Sequence, residues 1–152
     1  MQEAKIDRSE LERLVEKLER SPRVLAQAKR QAMETAAPKL LSMVRTEIGG
    51  SGKVRRWQEA YVGSRGGYAA VRPMADTYTE ATKSGKRYAV GHVTNAINSG
   101  HKYPSTRMGY RSRAGTVPGK QFYQRAQAQA ETVAREAAEQ IVQALTDHLG
   151  GS

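Results

Sequence analysis

The spacing of hydrophobic residues is helical at both ends of this chain and strand-like in its middle. Near the start, Leu11, Leu14, Val15 and Leu18 fall on one stripe. Ser9 followed by Glu12 has the spacing of a capping box, in which each side chain satisfies the other's free backbone N–H. This predicts a short helix ending near Arg20. Ser21-Pro22 has the form of a new helix start, because Ser suits the cap and Pro at the first helical position forfeits no hydrogen bond. Leu25, Ala28, Ala32/Met33, Ala36/Ala37, Leu40, Val44 and Ile48 continue at the helical period. A second, longer helix is therefore expected to about Ile48, kinked or split at Pro38 and stopped by Gly49-Gly50-Ser51-Gly52.

From Val54 the period falls to two. Trp57, Glu59 and Tyr61 alternate with Gln58, Ala60 and Val62, and Gly66-Gly67 supplies the positive φ of a tight hairpin. Tyr68 to Arg72 is the return strand, with Pro73 as its stop or as the mark of an edge. Residues 74–85 fit a third strand through Thr77-Tyr78-Thr79 or a short helix. Tyr88, Val90 and His92 alternate with Arg87, Ala89 and Val93, which predicts a strand over Lys86–Val93. Asn98-Ser99-Gly100-His101 then reads as a turn that bonds its own backbone. A long loop, Lys102–Lys120, closes on Val117-Pro118-Gly119. Phe122, Ala126, Ala130, Val133, Ala137, Ile141, Ala144/Leu145 and Leu149 form the stripe of a final helix from Gln121 to His148, about seven turns long.

These elements predict an α+β fold. N-terminal helices and a long C-terminal helix pack on a small antiparallel sheet that carries a long basic loop. Residues 1–20 are expected as an N-terminal helical arm and 21–149 as a single domain.

Charge changes this picture more than composition does. The net charge of +10 is concentrated: residues 49–120 hold 13 basic and 3 acidic side chains, whereas 121–152 hold 2 basic and 4 acidic. Such a field attracts nucleic acid, an acidic protein surface or anionic lipid. Lys102, Arg107, Arg111, Arg113 and Lys120 are interleaved with Tyr103 and Tyr110. They are suited to pairing phosphates and stacking on bases, and equally to anchoring a protein interface. The chain has no cysteine, and its three histidines, His92, His101 and His148, form no ligand pair at helical spacing. Neither a cofactor nor a metal is expected. Ser99 and His101 are close in sequence, but their segment reads better as a turn than as a nucleophile–base pair, and Glu59, Asp76 and Glu80 are too dispersed for metal-assisted hydrolysis, so the chain is read as a non-enzyme. The charged N-terminus is unlike a signal peptide and no apolar run suits a membrane span, which points to the cytoplasm or an assembly built there.

The run Val93-Thr94-Asn95-Ala96-Ile97-Asn98-Ser99-Gly100-His101, followed by Val117-Pro118-Gly119-Lys120-Gln121-Phe122, resembles the tail-component, or tail-completion, family of long-tailed double-stranded-DNA bacteriophages (minor tail protein Z-like). The resemblance covers most of residues 22–148. Many members carry an acidic residue shortly before the Gly-His pair, where this chain has Asn98 or Ser99. The resemblance implies a structural virion protein of the neck or tail, acting in tail completion or head–tail joining as one subunit of a homo-oligomeric, hexameric ring. Its implied partners are neck, head-closure and tail-tube proteins, with non-specific contact to genomic DNA in the channel. The alternative is a small basic nucleic-acid-binding module using the same Arg/Tyr loop.

Overall fold

The computed structural model describes residues 8–102 and 115–150, which form an α+β architecture of five helices and two separate two-stranded antiparallel sheets. The first helix, α1, is one element of 41 residues, Arg8–Ile48. Neither the expected restart at Ser21-Pro22 nor a split at Pro38 occurs. Both prolines lie inside the helix, and Ser9 also lies within it rather than at its cap. Each internal proline removes a backbone hydrogen bond, a cost offset by packing against the other end of the chain.

That packing comes from α4 (Phe122–Gln129) and α5 (Glu131–Gly150), which lie along α1. Arg125 bonds Glu47, Lys39 pairs with Glu136, and His148 Nε2 lies 2.8 Å from the Lys17 carbonyl. The order of these pairs makes the helices antiparallel. The seam is small: Ala32 and Ala36 of α1 lie against Val133 and Ala137 of α5, and Val44 packs with Ala126 of α4, all buried. Alanine exacts no side-chain entropy in a helix and lets backbones approach closely. Beyond the seam, Leu14, Val15 and Leu18 stay about half exposed. The expected single C-terminal helix has the expected extent, interrupted only at Ala130. There the N–H bonds Gln127 O at 3.1 Å and the carbonyl receives Ala134 N–H at 3.0 Å.

In the middle, the residues after Val54 begin not as strand but as a short helix, α2 (Lys53–Arg56), closed by Trp57. The expected hairpin follows, with β1 (Gln58–Val62) antiparallel to β2 (Ala69–Pro73), Gln58 opposite Pro73 and Val62 opposite Ala69. Its turn is a 3₁₀ segment over Ser64–Gly66, with positive φ at Arg65 and Gly66 rather than at a Gly66-Gly67 pair. Gly66 sits so close to α1 that a Cβ there would lie 2.7 Å from the Arg30 Cα. The hairpin tip is thereby seated on the long helix.

The largest correction concerns Lys86–Val93. That segment is not a strand. Tyr78 and Ala89 form one isolated bridge, and Thr79 N–H bonds Tyr88 O at 2.8 Å while Val90 N–H bonds Thr77 O at 2.9 Å. Residues 74–85 are accordingly an irregular excursion rather than a full strand or a helix. From Val90 the chain is helical to Ser99 (α3). Val90, Thr94 and Asn98, four residues apart, are its buried face. Alternation over so few residues fits either period, and burial of this face selects the helix. The expected turn at Asn98–His101 is corrected with it. Asn98 and Ser99 finish α3, and β3 (Gly100–Lys102) pairs with β4 (Thr116–Pro118).

The core lies where these parts meet. Phe122 is buried with Val44 and Ala126, and Met43, Ile48, Val54, Val71, Ile97 and Tyr123 pack around them. Burying one such phenylalanine is worth about 2–3 kcal/mol, a large share of what so alanine-rich a core supplies.

Candidate interaction site

The long basic loop is rooted in a β-ribbon. Gly100 pairs with Pro118, His101 with Val117 and Lys102 with Thr116. Of the residues singled out in the sequence, Lys102 lies exposed at the outer end of this stem, and Lys120 lies exposed just past its base. The structure sets these two lysines at opposite ends of the stem rather than together. Tyr103, Arg107, Tyr110, Arg111 and Arg113 lie outside the described residues.

The base of the ribbon is a backbone clamp. Gly100 has φ +85, and its amide region crosses Gly119 so closely that a Cβ on Gly119 would fall 2.7 Å from Gly100 N. Only glycine allows two backbones this approach. The crossing brings the C-terminal carbonyls of α3 to the entry of α4: Lys120 N–H bonds Ile97 O and Gln121 N–H bonds Asn98 O, each at 2.9 Å. Gln121 is left-handed (φ 49) and offers no side-chain cap of its own to α4. Asn98 supplies it, its Oδ1 accepting Tyr123 N–H at 3.1 Å. One buried asparagine thus ends α3 and starts α4. Helix ends leave such N–H groups unpaired unless a side chain reaches them.

Two further ties fix the clamp to the body. Tyr123 Oη donates to Gln58 Oε1, and the fully buried Gln58 donates through Nε2 to Val54 O at 3.0 Å. Burial pushes the Tyr123 phenol up to about 12, against the opposing pull of Gln58. On the outer side, Arg125 spans three acceptors. Its Nε meets Glu47 Oε2 at 2.7 Å, one Nη reaches Glu47 O at 3.2 Å, and the other bonds Lys120 O. Gln129 adds a bond to Glu47 Oε1 at 2.6 Å. The Arg125 and Gln129 bonds hold the Glu47 carboxyl below its ordinary value. The ribbon therefore leaves the molecule from a root anchored to α1, α3, α4 and β1, a geometry that holds a projecting element in a fixed direction.

The histidines are spread over different elements. His92 is exposed on α3, His101 lies in β3 opposite Val117, and His148 lies near Lys17. Among the described residues no three His, Asp or Glu side chains converge to hold a metal ion, and no helix is long and apolar enough to cross a membrane.

Sequence reasoning missed two features. Asn98 has the local chemistry of a self-bonded turn, although its spacing from Val90 and Thr94 marks a helix face. The second is a cluster of cations on α2, Lys53, Arg55 and Arg56; the run Lys53-Val54-Arg55-Arg56-Trp57 is dense in charge, but the strand pattern expected from Val54 hides the helix. No known protein family, curated protein or solved structure matches this chain.

Proposed function

We propose that this chain is a structural virion protein of a bacteriophage neck or tail, a ring subunit acting in tail completion or head–tail joining. The observation that carries this reading is the clamp. The two segments on which the resemblance rests, Val93–His101 and Val117–Phe122, are far apart in sequence but meet at the Gly100–Gly119 crossing and in the Asn98 bonds to α4. The residues that carry the resemblance are thus those that root the ribbon. A subunit that joins neighbours needs an arm whose base does not swivel, since ordering a loose arm on contact subtracts from affinity. A basic segment over residues 102–120 on a chain whose last helices carry net negative charge also suits head-to-tail contacts between copies, because complementary fields set register and orientation.

The test is native mass spectrometry of the purified full chain, alone and with isolated phage tail tubes, joined to negative-stain imaging of the tube ends. Rings, alone or capping the tubes, are expected, together with added hydrogen-exchange protection of the ribbon stem on assembly. A chain that stays monomeric and leaves tube ends bare would sink the reading.

A further inference from the structure

The sequence concentrates cations and tyrosines between Lys102 and Lys120, but the fold assembles another such surface where α1 turns into α2. All the charged residues of α2 are basic, Lys53, Arg55 and Arg56, and its first turn holds no acid. Arg45, Arg55 and Arg56 line one open cavity of about 440 Å³ with Gly50 and Ser51. Arg56 also lines an adjoining cavity of about 490 Å³ with Lys53, Trp57 and Tyr78. The two cavities share Arg56; the first is lined by cations, and the second adds Lys53, the carboxylate of Glu80 and the rings of Trp57 and Tyr78.

The neighbouring carboxylates do not neutralise it. Glu47 is taken by Arg125 and Gln129, and Glu59 by Arg72 at 2.9 Å. Glu80 reaches Lys53 only at 3.5 Å, with both side chains more than half exposed, and a pair of that kind is worth little in water. Arg55 spends one nitrogen on Gly50 O at 2.6 Å, and Arg45 one on Gln58 O at 3.1 Å. The Arg56 guanidinium is exposed and has no partner among the described residues. Guanidinium forks match phosphate geometry. Exposed aromatic rings beside them, Tyr78 here at 60% exposure, are the stacking surface that nucleic-acid grooves add to charge.

We infer that this corner, built from Lys53, Arg55, Arg56, Trp57 and Tyr78, binds the phosphodiester backbone of a nucleic acid without regard to sequence. Guanidinium forks beside rings on which bases stack favour a phosphodiester chain; an acidic protein surface is the competing occupant, and competition by polyglutamate tells the two apart. The inference does not depend on ring formation, and it places the contact on the body rather than on the ribbon.

Trp57 is the chain's single tryptophan and lines the site, so its emission reports binding there directly. The full-length protein is titrated with random-sequence duplex and single-stranded DNA of equal length, following Trp57 emission and the anisotropy of labelled DNA at 50 to 200 mM salt. Three phosphate contacts predict a loss of about 20- to 40-fold in affinity over that range. Binding should change the Trp57 emission, with a larger change for the single strand. Lys53→Ala/Arg56→Ala should reduce the slope of log affinity against log salt by roughly 1.4 to 1.8. Glu80→Gln should tighten binding, and Lys102→Ala/Lys120→Ala should leave the emission change intact. Thermal melts of each variant check that it folds, and native mass spectrometry reads ring assembly separately. Four results would each overturn the inference: no binding at 50 mM salt, binding with unchanged Trp57 emission, a salt slope insensitive to Lys53→Ala/Arg56→Ala in the folded variant, or displacement of DNA by polyglutamate at lower charge concentration than by competitor DNA. Loss of rings in Lys53→Ala/Arg56→Ala with DNA binding unchanged would likewise overturn it and make the corner a subunit contact.

Discussion

Asn98 Oδ1 accepts the backbone N–H of Tyr123 at 3.1 Å across 25 residues of chain, so the last turn of α3 caps the first turn of α4. Asn98→Ala removes that acceptor at a buried position, and the expected loss is about 1–2 kcal/mol of folding stability. Asn98→Asp keeps an acceptor and adds negative charge where a helix N-terminus favours it, so at neutral pH it should recover most of the loss. Urea denaturation of the three proteins measures both effects. An alanine variant within about 0.3 kcal/mol of the parent would mean that the cap contributes nothing.

The glycine crossing gives a sharper test, because the atoms in the way belong to backbone and cannot swing aside. A Cβ on Gly119 would lie 2.5 Å from Ser99 C, and one on Gly100 would lie 2.5 Å from Val117 O and 2.7 Å from Gly119 N. Gly100 also has φ 85 and ψ 167, a region essentially confined to glycine. Gly119→Ala and Gly100→Ala should each cost roughly 2–4 kcal/mol. Gly67 is the control: it has φ −78 and no atom within 4 Å of an added Cβ. Gly67→Ala should be neutral or stabilising by up to about 1 kcal/mol. If all three alanines shift the urea midpoint alike, the crossing is looser than these distances require.

What could be read from the sequence follows from which physical signal each element carries. The long helices were legible because their stripes repeat over many turns, and the hairpin because Tyr61 and Val62 alternate beside a glycine pair. Helix α3 was not, since Thr94 and Asn98 put polar atoms on its buried face and hide the apolar stripe. The boundary expected at Ser21-Pro22 failed for another reason. Local chemistry favours a restart there, but Lys17 is tied to the far end of α5 through His148 and Leu149, and that long-range docking keeps the helix continuous. At the candidate site, Gly100, Pro118 and Gly119 were visible as turn-formers. Their meeting was not visible, because nothing local to either segment encodes the other.

Pro38 offers a prediction that runs toward stability. It is exposed on α1, so replacing it removes no core contact. Its ring denies the Glu34 carbonyl a helical partner and crowds that turn. Pro38→Ala should restore the bond and raise stability by about 1–3 kcal/mol, visible as a higher melting temperature with unchanged helical circular dichroism. Neutral or lowered stability would show that the course of α1 past Pro38 is shaped to fit α5, and that straightening it costs as much as the bond returns.

Tyr123 predicts the response to alkali. Its phenol is held up to about 12 by burial, whereas the unfolded chain releases that proton near pH 10. The folded state thus keeps a proton that the unfolded state has lost. The stabilisation is fully present below about pH 10 and is lost as pH rises from there to about 12. Tyr123→Phe should cost about 1–2 kcal/mol at pH 7, since Gln58 Oε1 loses its donor at a fully buried position. Above pH 10 the same variant should lose stability less steeply than the parent. Some slope persists in it, because the Tyr68 phenol is also raised, first by its hydrogen bond with Tyr61. Urea midpoints measured from pH 8 to pH 12 for both proteins separate the two contributions. Parallel curves would mean that the Tyr123 phenol titrates alike in the folded and unfolded chain, and that the contact with Gln58 is not closed to water.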